Sequence, residues 1–197
     1  MTHDLAPREA RSSAPVNGAR ARTRAAILDA AVGALAADPH MPLGRVAELA
    51  DVGRTTLHRY FPERSDLLEA VGQHAVDALA AASARARTTE GTALEALLRV
   101  AQEYLGLGDL LTILLTGLVP DDWEDDPRTS GVVHELCVRG VEDGSLDPRL
   151  PPAWTQGVLW AGIYLAWSTL RTGTADRHAV VGHLLLTLRK AVGAPPS

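Results

Sequence analysis

Apolar residues recur along most of this chain at spacings of three and four, the period of helices buried on one face. Ile27, Ala30, Ala31, Ala34 and Leu35 form one such stripe within a helix predicted from Arg22 to Ala37. Leu43, Val46, Ala47 and Ala50 form a second, and Leu57 with Phe61 a third. Ser65, with Asp66 next and Glu69 in the first turns, reads as the start of a long helix reaching about Arg87, roughly 33 Å by the rise per residue. Further helices are predicted over 92–105, 109–118, 128–143, 153–172 and 176–192, separated by Gly, Pro and Asp clusters. In the helix over 128–143, Val132, Val133, Leu136, Cys137 and Gly140 are expected inward. No stretch alternates with the period of a strand, so the pattern predicts an all-α fold of about nine helices.

The stretch LGRVAELADVGRTTLHRYF from Leu43 to Phe61 stands apart. Two short helical patterns flank Asp51-Val52-Gly53, where Asp and Gly suit turn conformations that other residues resist. With Leu57 and Phe61 inward, the second helix turns Arg54, Thr55, His58 and Arg59 outward. A short helix, a tight turn and a second helix armed with Arg, Thr and His is the helix-turn-helix layout, whose second helix fits a DNA major groove.

RVAELADVGRTTLHRYFPERSDLLEAV, with RTRAAILDAAVGALA before it, resembles the tetracycline-repressor (TetR) family of bacterial one-component regulators. The likeness covers about the first third of the chain, with three departures: Asp51 where the family usually has Gly, Gly53 where it has Ser, and His58 where it has Tyr. It implies an N-terminal three-helix DNA-binding domain over 20–66; the polar residues 1–19 before it read as a disordered arm. It implies a C-terminal helical ligand-binding and dimerisation domain over 67–197. By resemblance, the long helix from Ser65 transmits the signal, the last two helices form a homodimer, and repression is the mode of action.

The candidate DNA contacts follow from residue chemistry. Arg54 and Thr55, at the front of the recognition helix, suit base edges: Arg bonds guanine O6 and N7 bidentately, and Thr touches a thymine methyl or a base edge. Thr56, His58, Arg59, Tyr60 and Arg64 are better placed for phosphates, and Arg45 on the first short helix also reaches toward the backbone. Taken singly, each could be an ordinary exposed residue. Arg8 and Arg11, then Arg20, Arg22 and Arg24, belong either to a solvated tail or to an arm touching phosphate or a minor groove.

The last two helices are apolar on more than one face, so one small domain cannot cover them; a two-fold copy would, as a four-helix bundle. Tyr104, Trp123, His134, Trp160, Tyr164 and Trp167 are aromatic or polar groups set in this apolar half, and suit a mostly apolar small-molecule effector. Core and dimer packing is the competing use of each.

Charge sharpens the picture. The net charge is −5 over 197 residues, which is unusual for a DNA binder. Yet Arg20 to Arg64 holds seven arginines against five acids, while the chain beyond residue 70 holds ten basic and fifteen acidic residues. Arginine outnumbers lysine eighteen to one. The polar first twenty residues, the lack of a spanning apolar run and the lone Cys137 predict a cytoplasmic protein with no disulfide and no membrane partner. No catalytic signature, cofactor motif or metal spacing is present, so the chain is read as no enzyme, with no cofactor and no metal. The expected function is a transcriptional repressor, released from a near-palindromic double-stranded operator by a small molecule. The alternative is an all-α carrier or enzyme in which the helix-turn-helix is only scaffold.

Overall fold

The structure is a computed structural model in which residues 14–119, 127–173 and 175–195 are described. Among those residues it is helical throughout, with no strand beyond an isolated bridge between Leu146 and Gly193. The helices are α1 (Ala14–Ala37), α2 (Leu43–Leu49), α3 (Arg54–Tyr60), α4 (Arg64–Arg85), α5 (Ala93–Leu105), α6 (Asp109–Leu115), α7 (Val132–Glu142), α8 (Pro152–Arg171) and α9 (Arg177–Val192).

Several ends differ from expectation. Helix α1 starts at Ala14, so residues 14–19 are its opening turns and no disordered arm; the rest of the expected arm lies outside the described residues. Pro15 falls in the first turn, where a missing N–H costs nothing, and the Ala–Arg run behind it favours helix. Glu63, not Ser65, holds the N-cap position of α4, and its N–H donates to the Asp66 carboxylate at 2.8 Å. Helix α6 stops at Leu115, before Gly117 at φ +65, three residues short of the expected Leu118. A π-helical turn over Pro127–Gly131 precedes α7, shortening it at the front.

The α2–α3 turn explains one departure from the family pattern. Val52 N–H reaches back to the Ala47 carbonyl at 3.0 Å, the six-to-one bond of a Schellman motif. Asp51 sits at the position that must turn left-handed, with φ +52. Glycine meets that demand freely, and aspartate is among the few residues that tolerate it. Val46, Ala47, Leu57 and Phe61 fill the space beneath, with Leu43 and Ala50 half-buried against them.

Helix α4 is held at both ends by arginines on backbone carbonyls. Arg64, in its first turn, donates to the Met41 carbonyl at 2.7 Å and to that of Pro39, tying α4 to the α1–α2 corner. Arg99 on α5 donates to the carbonyls of Ala86, at 2.7 Å, and of Arg87 and Glu90, closing the other end. Helix α1 packs on α2, α4 and α6; α8 and α9 pair as the terminal hairpin. Inside the C-terminal half, burial pushes the Cys137 thiol up to about 11.

Two outcomes follow from these placements. Replacing Asp51 by valine should cost about 1–2 kcal/mol in a urea melt, whereas Asp51→Gly should be neutral or stabilising. Cys137 should resist a thiol reagent at neutral pH while the chain is folded and react once it is denatured; rapid labelling of the native chain would contradict its burial.

Candidate nucleic-acid interface

Helix α3 lies on the buried Leu57 and Phe61 and turns its opposite side to solvent. Arg54, Thr55, His58 and Arg59 are exposed, and Thr56 and Tyr60 are half-buried. All six expected residues of this helix therefore lie on its accessible side or its margin. The Arg54 side chain runs back over α2: a Cβ added at Gly44 would stand 3.0 Å from its Nε. The missing side chain at Gly44 is what leaves room for that guanidinium. Arg45 is exposed on α2 and pairs with Glu48 one turn later, a surface pair of little energetic weight. His58 places Nδ1 3.3 Å from the Pro62 carbonyl, which can only accept, so the bond needs the Nδ1–H tautomer. The family's usual tyrosine could not make that bond from the same ring position.

The Arg64 guanidinium turns to the Met41 and Pro39 carbonyls and secures the α1–α2 corner. Other cations gather at the end of α3. Arg20 of α1 lies over the Tyr60 ring at 5.6 Å, Arg59 reaches the same ring at 5.6 Å, and Arg24 lies over Phe61 at 5.5 Å. The sequence carried a signal for them: α1 holds three arginines and no acid between Ala14 and Leu28.

The aromatic residues of the C-terminal half divide. Tyr104 is fully buried, its hydroxyl 2.8 Å from Ser83 Oγ, and burial outweighs that bond in raising its pKa. Trp160 stacks on it at 5.4 Å and 27°. Trp167 is half-buried and donates its indole N–H to Thr112 on α6 at 3.0 Å, with Arg171 over its ring. Tyr164 meets Trp167 at a tilt, 5.4 Å between ring centres, but is 51% exposed, at the margin of this cluster. His134 is exposed on α7, so it does not join the aromatic cluster; it sits off the buried stripe of Val133, Leu136, Cys137 and Gly140. Trp123 lies outside the described residues. A separate groove of about 180 Å³ between α8 and α9 is lined by Leu165, Ala166, Thr169, His183, Leu184 and Thr187, among others. None of the described residues expected at the effector site lines it.

Comparison with known proteins completes the picture. No family model matches the chain. The HTH-type transcriptional repressor LfrR of Mycolicibacterium smegmatis is 37% identical over 179 residues, covering 89% of this chain and 93% of that protein. The solved structure of the TetR-like regulator LfrR from Mycobacterium smegmatis in complex with proflavine is similar at TM-score 0.69 and 36% identity, over 87% of this chain and 96% of that one. A TetR family regulator from Marinobacter aquaeolei reaches TM-score 0.73 at 18% identity, over 91% of this chain and 100% of that one, a likeness of fold alone. With a helix-turn-helix whose polar side is open, and a relative of this identity over nearly its whole length, the chain belongs to the TetR family of ligand-responsive, helix-turn-helix transcriptional repressors.

Proposed function

We propose that the protein grips a near-palindromic operator as a two-fold homodimer and releases it when a flat aromatic cation enters the C-terminal helices. The observation that carries the DNA half is the open face of α3, where Arg54 and Thr55 lead an exposed row. In this reading Arg54 and Thr55 meet base edges, while Arg45, Thr56, His58, Arg59 and Tyr60 meet phosphate and sugar. Two copies of α3 would enter successive major grooves about 34 Å apart.

Pairing through α8 and α9 is supported by what they leave uncovered. Trp154 is 64% exposed and Leu165 62% exposed on α8, with Tyr164 beside them and Leu186 on α9. A second copy of the same hairpin would bury this face in an isologous bundle. No helix among the described residues is long and apolar enough to cross a membrane. The kinship to a transcriptional repressor supports reading the chain as a cytoplasmic regulator with no catalytic role.

The effector class rests on the relative crystallised with proflavine, a planar aromatic cation. Trp160, half-buried and backed by the enclosed Tyr104, offers an aromatic face, and such faces attract cations electrostatically. An effector that favours a conformation with the wrong spacing of the two α3 helices lowers DNA affinity by the factor that DNA lowers its own. Helix α4, tied to the α1–α2 corner by Arg64, is the lever in this scheme.

Duplexes selected by the native chain from a random library give the test. Arg54→Ala should lose about 1–3 kcal/mol of preference for the selected duplex over scrambled DNA, read by competition anisotropy. Gly44→Ala should weaken the same binding by crowding Arg54, while leaving the melting temperature unchanged or raised, because Ala favours helix by up to about 1 kcal/mol. Proflavine should compete the protein off its duplex, and Trp160→Leu should weaken proflavine binding about tenfold, as an aromatic contact of this kind is worth up to ~1.5 kcal/mol. Retained duplex binding at saturating proflavine would remove this effector class.

A further inference from the structure

We infer that Arg20 and Arg24 of α1 form a second phosphate-binding edge, outside the helix-turn-helix, that widens the protein's footprint on DNA. The inference rests on the DNA-binding reading above. The two residues are one turn apart on one helix face, and both are exposed. Like charges at this spacing repel, and no acid occurs between Ala14 and Leu28 to offset them. Among the described residues neither forms an ion pair, whereas Arg45, Arg85, Arg87, Arg128 and Arg149 each meet a carboxylate.

Their positions are set by aromatic rings. Arg20 lies over Tyr60 at 5.6 Å and Arg24 over Phe61 at 5.5 Å, at the C-terminal end of α3. Arg59 joins the cluster from α3 itself, also 5.6 Å from the Tyr60 ring. A ring face holds a guanidinium without using its N–H donors. The donors of Arg20 and Arg24 are thus left for an oxygen-rich anion, beside the helix that reads the groove. A duplex whose major groove receives α3 carries its phosphate ridge along that flank. In a chain of net charge −5, this uncompensated pair is a local attraction for that ridge. Arg22 provides an internal contrast, since it points from roughly the opposite side of α1 by the 100° step of a helix.

The salt dependence of binding reads phosphate contacts directly. With the native chain and its selected duplex, the slope of log K against log salt measures the number of phosphates neutralised. The double variant Arg20→Gln, Arg24→Gln should flatten that slope by about 1.8, close to 0.9 for each phosphate no longer neutralised. The ranking of single-base-mismatched duplexes should not change, because the pair reads no base. Arg22→Gln should leave the slope nearly as it was, and Arg20→Lys with Arg24→Lys should restore it. An unchanged slope in the glutamine pair overturns the inference, as does an equal drop from Arg22→Gln, which would report net charge alone. A slope flattened equally in the lysine pair also overturns it, by assigning the arginines to packing. If the native chain bound no duplex selectively, the DNA-binding reading itself would fail, an outcome distinct from the other three.

Discussion

The C-terminal half of α1 is apolar on too many sides to be covered by one neighbour, and that constraint organises the molecule. Ile27, Leu28, Ala31, Val32, Ala34 and Leu35 are all buried. A helix apolar over most of its circumference has to be enclosed. Here α2 covers it from the DNA-binding side, and α4 and α6 from the other. The three N-terminal helices alone could not do this. Any tilt of α4 or α6 therefore repacks α1, and α1 supports α2, on which the recognition helix α3 packs.

That shared enclosure gives the two ends of the chain a physical connection. Trp167 on α8 donates to Thr112 on α6, and α6 rests on α1. Val119, just past α6, sits against Gly72 of α4, where an added Cβ would stand 3.4 Å from it. Arg64 joins α4 to the corner before α2 through two carbonyls. Aromatic groups in the C-terminal half and cations on α3 are thus linked by packed elements and short hydrogen bonds. Packed interiors of this density move as units, which is what a two-state response requires.

Helical period carried most of the fold, because every element has a buried stripe that the spacing of apolar residues exposes. The errors came where local chemistry and tertiary context differ. Ser65 is a better cap by type than Glu63, yet the helix begins two residues earlier, with Asp66 receiving the Glu63 N–H. The tie from Arg64 to the Pro39 and Met41 carbonyls is not legible in the sequence, because nothing in it tells where those carbonyls turn. His134 could have been set aside on spacing, since it falls between the inward positions of α7. Tyr164 shares a side with Trp160 and Trp167 but is turned about 40° from Trp160 by the 100° helical step, enough to leave it half uncovered. The cations of α1 were visible as residues; their seats on Tyr60 and Phe61 were not, because ring contacts between distant segments leave no periodic trace.

One property of the DNA-facing surface reaches beyond geometry. Every permanent cation on α1, α2 and α3 is a guanidinium, and the chain's one lysine, Lys190, lies in α9 at the far end of the sequence. A guanidinium offers no primary amine for acyl transfer. Acetylation can therefore strip no charge from the side chains of these three helices. Charge on these helices thus stays constant while the effector of the proposed scheme changes their spacing.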